Sequence, residues 1–163
     1  MTQQEQFKLA MSQFATGVCV MTFEHPETKA TEGVTISAFS SLSVEPLKIL
    51  FCLGHWGLAK THFDQIERFT VNILSSRQKD LAYQFAGRSR DHLADKIEKI
   101  DGTPSLKGTL ASVVCQKGSH YTEGDHDIII GEVQSIQLNN ADNSLQPLLY
   151  YRSDIIDNYR YES

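Results

Sequence analysis

The run Gly33-Val34-Thr35-Ile36-Ser37-Ala38-Phe39-Ser40-Ser41-Leu42-Ser43 puts five hydroxyl side chains into a stretch too apolar for a surface loop. Hydroxyls in such surroundings need partners, and they can bond phosphate oxygens and ring heteroatoms without burying a charge. The run suits a polar ligand held against a sheet, or equally an edge strand whose hydroxyls bond water and backbone. A second cluster is Asp125-His126-Asp127. Neighbouring side chains on a strand point to opposite faces, so at most Asp125 and Asp127 converge, and no metal site is expected. His55, His62, His92 and His120 are scattered and read as surface or hydrogen-bonded imidazoles.

Other chemistries lack their motifs. No GxGxxG follows a strand and no GxxxxGK[ST] occurs, so neither a dinucleotide fold nor a triphosphate cradle is indicated. HExxH, an EF-hand loop and a GxSxG elbow are absent too, which removes most support for a hydrolase. Cys19, Cys52 and Cys115 form no CxxC pair and are odd in number; each lies in an apolar stretch, as reduced, buried thiols of a cytoplasmic protein would. The 163 residues, 40% of them hydrophobic, suit one domain over 1–163 with an ordinary core. Fifteen Lys+Arg against twenty Asp+Glu give a net charge of −5, a field that repels nucleic-acid phosphates. Glu5 and Lys8 interrupt the stretch where an export signal needs an apolar run. The apolar segments Ile49 to Leu53 and Ile128 to Ile130 fall far short of the roughly 20 residues that cross a bilayer. Neither a nucleic-acid nor a membrane partner is expected.

The elements that position these residues are mostly strands. Gln4 to Ser12 reads as a short amphipathic helix, with Phe7, Met11 and Phe14 at helical spacing. Val18 to Phe23 is β-branched and apolar and ends at His25-Pro26, a strand running into a turn. Leu47 to Leu53 and Phe69 to Leu74 have the character of buried strands, with a helix of about three turns over Leu58 to Arg68 between them. Asp80 to Ala86 suggests another helix closed by Gly87, and Arg88 to Lys99 a polar surface excursion. Leu110 to Tyr121 and His126 to Leu138 flank Glu123-Gly124-Asp125 as a long hairpin, and Leu148 to Arg152 adds a short strand. With few helices and no regular alternation of strand and helix, the fold class is mainly β with peripheral α: an antiparallel barrel rather than a doubly wound sheet.

Several segments in order resemble the flavin reductase-like family: Phe14-Ala15-Thr16-Gly17-Val18; Gly33-Val34-Thr35 with Ser37-Ala38-Phe39 and Ser41 to Pro46; Phe69 to Leu74; Phe85-Ala86-Gly87; Cys115; Gly124-Asp125-His126 leading to Gly131-Glu132-Val133; and Pro147 to Tyr151. The resemblance spans residues 7 to 152. It implies an FMN-binding split β-barrel of antiparallel Greek-key type, a homodimer, and reduction of FMN or FAD by NADH or NADPH. In many members the reduced flavin goes on to a partner monooxygenase. It also accounts for the missing GxGxxG, since the family binds its nicotinamide against the flavin without a Rossmann motif. An alternative is a flavoprotein that holds FMN tightly as an electron carrier without nicotinamide activity of its own. A third reading is a barrel that has lost flavin and serves as an interaction module.

By the same resemblance, Val34, Thr35, Ile36 and Ser37 line the flavin ring and ribityl chain, with Ser40 a weaker candidate. Cys52 and Leu53 end the next strand at a further flavin contact, and Phe85, Ala86 and Gly87 match another. Relatives often carry Ser-x-Thr at the start of the following helix, where this chain reads Gly57-Leu58-Ala59. Those three residues are kept as backbone ligands for the phosphate, because free N–H groups at a helix start attract anions, and Lys60 is a candidate added charge. His126 resembles the histidine that the family places near the nicotinamide, a positioning role. Ser153 and Ile155 stand where relatives commonly have a glycine and an aromatic residue, which leaves contacts from that end open.

Overall fold

The computed structural model describes residues 1–87, 93–139 and 144–160. Strands β2 (Cys19–Glu24), β3 (Thr31–Ile36), β4 (Phe39–Val44), β5 (Leu47–Gly54), β6 (Arg68–Ile73), β9 (Ala111–Glu123) and β10 (His126–Leu138) form one antiparallel sheet in the order β3-β2-β6-β9-β10-β5-β4. Their β-branched and aromatic residues fit a pleated, half-buried surface. In β5, Ile49, Phe51 and Leu53 turn inward while Leu50 and Cys52 lie half-buried on the other face, the two-residue period of a strand.

The sheet wraps around a core of Met21, Phe23, Phe51, Phe63, Phe69, Val71 and Ile129. Four phenylalanines there meet edge to face, Phe51 with Phe69 at 5.4 Å, Phe63 with Phe69 at 5.5 Å and Phe23 with Phe63 at 5.8 Å between ring centres. Such pairs contribute about 0.5–1.5 kcal/mol each beyond the area they bury. The two edges of the sheet, β3 and β4, are consecutive in the chain, and the crossing between them is the corner Ser37-Ala38. The Cys52 N–H donates to the Ala38 carbonyl at 2.9 Å and the Phe39 N–H to the Ser37 carbonyl at 3.1 Å, which fixes that corner against β5.

Outside the barrel, α3 (Lys79–Phe85) packs Leu81, Ala82 and Phe85 into a second core with Val18, Val20, Leu74, Leu106, Leu148 and Ile155. A small sheet of β1 (Thr16–Gly17), β11 (Leu149–Tyr151) and β12 (Asp154–Ile156) borders it. The amino-terminal helix α1 (Gln3–Ser12) starts with a capping box of Thr2 and Glu5 but buries none of its residues.

The mainly β antiparallel architecture is as the sequence predicts; four local features differ. The helix expected over 58–68 is α2 (Leu58–Phe63) only, because the Lys117 ammonium, reaching over from β9, donates to the Phe63 and Asp64 carbonyls at 3.0 Å and stops it there. The expected excursion over 88–99 contains β7 (Ile97–Ile100), which pairs with β8 (Thr103–Leu106), while its residues 88–92, among them Arg88, Arg90 and His92, lie outside the described residues. All four residues of β8 are buried. After β11 the chain turns back as β12 through Arg152 and Ser153, at φ of 50° and 64°. The hydroxyl run splits at the barrel corner: Thr35 ends up on β3, and Ser40, Ser41 and Ser43 on the edge strand β4. None of the helices described is long and apolar enough to cross a membrane.

Candidate functional site

The barrel corner opens onto a cavity of about 290 Å³ between β3, α3 and the β11–β12 turn, walled by Val18, Thr35, Ile36, Tyr83, Ala86 and Tyr150 and edged by Ser37 and Ser153. Ser37, Tyr150 and Ser153 also border a neighbouring hollow of about 540 Å³ that reaches Phe7 and Met11 of α1 and Phe14 just beyond it. Apolar walls with a few polar groups at one edge are what a planar, partly polar ligand needs. The Thr35 hydroxyl donates to the Ala82 carbonyl, tying β3 to α3; its proton is committed, and its oxygen remains an acceptor.

β5, bonded to the corner through Cys52, runs on through a short loop into the start of α2. Gly57 has φ 93°, a left-handed conformation that glycine adopts freely, and α2 begins there with no side-chain cap on its first N–H groups. The loop leading into it is held by β10. The His55 N–H donates to the Asp125 carbonyl at 3.0 Å, and the His55 imidazole meets the Asp127 carboxylate at 2.8 Å. Asp127 is buried; it also accepts from Thr122 at 2.8 Å and pairs with Lys60 at 3.0 Å. The hydrogen bond from His55, then those from Thr122 and Lys60, outweigh burial and hold the Asp127 carboxyl well below the usual carboxylate range. Burial alone would lower the Lys60 pKa, but Asp64, at 2.6 Å, and Asp127 raise it instead.

His126 stands at the mouth of this region, beside the hairpin turn. Its Nδ1 meets the Asp125 carboxylate at 2.7 Å, and that bond is the main reason the Asp125 pKa is lowered. With Nδ1 donating to Asp125, Nε2 of the neutral ring is a free acceptor, and it makes no hydrogen bond among the described residues.

The structure brings Thr35, Ile36, Ser37 and Ala86 together around one cavity. Cys52 is joined to the same corner through its N–H, and Val34 packs on the barrel core. Leu53 and Phe85 turn their side chains into the two cores, which leaves only their main chains for a ligand. Ser40 lies outside both hollows and donates to the neighbouring Ser41 carbonyl. Gly87, at φ 101°, ends α3 next to Ala86. Lys60 is not the free charge expected beside Gly57-Leu58-Ala59, since two carboxylates hold it. Asp125 and Asp127 do not converge: one is exposed in the turn, the other buried under His55. Of the three thiols, Cys19 and Cys115 are buried and pushed up to about 12, whereas Cys52 is only half-buried.

Tyr83, Tyr150 and Val18 line the cavity without having been foreseen as liners. Their spacing carries no signal, because they come from three segments that meet only in the fold. His25, Glu32 and His62 also gather, with His62 Nδ1 at 2.8 Å and His25 Nε2 at 3.9 Å from the carboxylate. His25 Nδ1, however, accepts from the N–H groups of Glu27 and Thr28, both at 3.1 Å. The neutral ring therefore carries its proton on Nε2, facing Glu32, where a metal would need a lone pair.

Comparison with known proteins gives the family. Residues 11–157 match the model of the flavin reductase like domain. The chain is 33% identical over 150 residues to the flavin-dependent monooxygenase reductase subunit HsaB of Mycobacterium tuberculosis, covering 91% of this chain and 79% of that one. It is 31% identical over 153 residues to the NADH-dependent FMN reductase AsuE2 of Streptomyces nodosus subsp. asukaensis, covering 90% of this chain and 80% of the relative. The solved structure of flavin reductase PheA2 superposes with a TM-score of 0.86 at 33% identity, covering 98% of this chain and all of the other. With the barrel corner, its cavity and a match running nearly from end to end, the chain belongs to the flavin reductase-like domain family.

Proposed function

We propose that this protein is an NAD(P)H:flavin oxidoreductase that reduces FMN or FAD and supplies the reduced flavin to a partner monooxygenase. The observation that carries the reading is the family match over 11–157, whose relatives include a monooxygenase reductase subunit and an NADH-dependent FMN reductase. When bound, the flavin and the nicotinamide supply the redox chemistry themselves, hydride passing from one ring to the other. The protein's part is positioning. Val34 to Ser37, the main chain at Cys52 and Leu53, and Ala86 would hold the flavin ring at the barrel corner, where Thr35 offers an acceptor and Ser37 a hydroxyl with no partner among the described residues. The uncapped N–H groups of Gly57, Leu58 and Ala59 would take the phosphate. His126, oriented by Asp125, would accept from the nicotinamide carboxamide NH₂ at Nε2. The apolar wall of Val18, Tyr83 and Tyr150 would keep water from the reacting faces. No catalytic acid is needed.

A homodimer fits the exposed apolar residues Phe7, Leu9 and Met11 of α1 and Phe14 just after it. Three of these line the hollow next to Ser37, so a second copy seated there would enclose the site. A reducing, cytoplasmic setting fits the free thiols.

The test is to give the purified protein FMN or FAD and follow the consumption of NADH and NADPH; no turnover with any pairing sinks the reading. A yellow protein that keeps its flavin through gel filtration and ignores both nicotinamides would be the electron carrier instead. His126→Ala should raise the KM for the nicotinamide, and unchanged KM and kcat would remove His126 from the site.

A further inference from the structure

Trp56 is the chain's one tryptophan, and it is held in place without being buried, 66% exposed. The loop that carries it is fixed from both sides, by His55 on Asp125 and Asp127 and by the turn of Gly57 into α2. The indole lies directly on the backbone of β5: a Cβ at Gly54 would stand 2.5 Å from its Cζ2 and 2.7 Å from Cε2 and Cη2. It meets the His126 ring at 4.9 Å between centres with the planes at 87°. A large apolar ring kept in water loses the stabilisation that burial would provide. Here the close fit to Gly54 and the right angle to His126 define one orientation, with most of the ring surface open beside a free imidazole nitrogen. That arrangement is suited to stacking a flat heteroaromatic ring while His126 Nε2 bonds a polar group of the same ligand.

We propose that Trp56 is a positioning residue for the nicotinamide dinucleotide, its indole stacking on one of the two heteroaromatic rings of that cofactor. The inference rests on the reductase reading above and assigns to it a residue that neither the motif order nor the cavity lining includes. The single tryptophan makes the first measurement specific: NAD⁺ titrated into flavin-free protein should quench its fluorescence. Nicotinamide mononucleotide and AMP as separate arms identify the ring that stacks; quenching by none of the three overturns the proposal. In steady state, Trp56→Ala should raise the KM for NADH about three- to tenfold, the scale of one aromatic stacking contact, with kcat and the flavin KM within about twofold of wild type. Trp56→Phe should restore most of the loss, which a merely structural role would not require. Gly54→Ala, whose methyl displaces the indole without removing it, should raise the same KM. An active wild type whose NADH KM is unmoved by Trp56→Ala overturns this proposal alone, as does a variant that shifts only the flavin KM. A wild type inactive with every flavin and nicotinamide pairing overturns the reductase reading and this inference together.

Discussion

Asn72 on β6 and Asp127 on β10 are both buried polar side chains on inner strands of the barrel sheet, and they organise opposite sides of it. Asn72 is neutral and closed in. Its amide NH₂ donates to the Val20 carbonyl and the Thr22 hydroxyl, both at 2.9 Å, and its oxygen accepts from Ser105 at 2.7 Å, Leu106 N–H at 2.9 Å and Ser112 at 3.0 Å. Thr22 passes its proton on to the Pro104 carbonyl at 2.7 Å, so the whole cluster staples β8 onto β2, β6 and β9. Asp127 is charged and sits under a rim: its partner His55 is partly exposed, and the ammonium it pairs with, Lys60, is shared with the more exposed Asp64. In the first cluster every hydrogen-bonding group of the Asn72 amide is matched, which leaves that side chain nothing to offer a ligand. The second holds the loop that carries Trp56 and Gly57, so its charge is used to shape a surface. A buried polar residue thus serves stability where its network is closed and site geometry where the network reaches the surface.

The contrast can be broken by substitution. Asn72→Ala is expected to have the largest effect, about 4 kcal/mol of stability, because several buried groups lose partners at about 1–3 kcal/mol each. Urea unfolding would measure it, and the flavin Kd of the folded fraction should stay where it was. A weakened flavin Kd in that variant would show that the two clusters are not separate. Asp127→Asn should cost less, about 2 kcal/mol against the roughly 3–5 kcal/mol of a stranded buried charge, since Lys60 keeps Asp64. Unlike the first variant it should also raise the flavin KM, by loosening the approach to Gly57.

The Asp127 cluster predicts its own pH dependence. The folded carboxyl lies below its ordinary value, so its contribution is fully present above the unfolded pKa of about 4 and is lost as the pH falls from there through the folded value. The stability gap between wild type and Asp127→Asn should therefore narrow on acidification below about pH 4. A gap unchanged there would assign the effect to shape rather than charge. The Asn72→Ala deficit, involving no titrating group, should not narrow in this way.

Smaller effects sharpen the picture at the cavity. Ser37→Ala is expected to weaken flavin binding by about 1 kcal/mol, one hydrogen bond, with the unfolding midpoint unmoved; an unchanged flavin Kd would place the ligand elsewhere. Ser153→Gly should raise stability by about 0.5 kcal/mol, because φ 64° costs an L-residue more than glycine loses in chain entropy. A lower melting temperature for that variant would show that the Ser153 side chain contributes a contact worth more than the strain.

Much of the fold could be read directly because the signals are local. The alternation of Ile49, Phe51 and Leu53 with their neighbours, and the two-residue turn that joins β9 to β10, need only the chain's own pleat and a glycine. The β7–β8 hairpin was hidden, since Pro104 argues against a strand and its place is set by Thr22 and Asn72 from elsewhere in the chain. β12 was hidden by a turn made of Arg152 and Ser153, neither a residue that announces left-handed backbone. At the candidate site, the hydroxyl run stood out by residue type and His126 through the family resemblance of the motif around it. Trp56, Tyr83 and Tyr150 did not, for an aromatic residue looks the same in a sequence whether it fills a core or faces a ligand.

By itself the sequence determined the strand-rich class, the ordered family motifs and the residues around which a flavin site would be built, because hydrophobic period and motif order are properties of the chain alone. Tertiary structure decided the rest. It closed the barrel at Ser37-Ala38, left Asp125 exposed in the turn while burying Asp127 under His55, gave Lys60 to two carboxylates and left Trp56 open above Gly54. Each of these depends on which distant groups come within a few ångströms of each other, and charge, tautomer and exposure have no value until that distance is set.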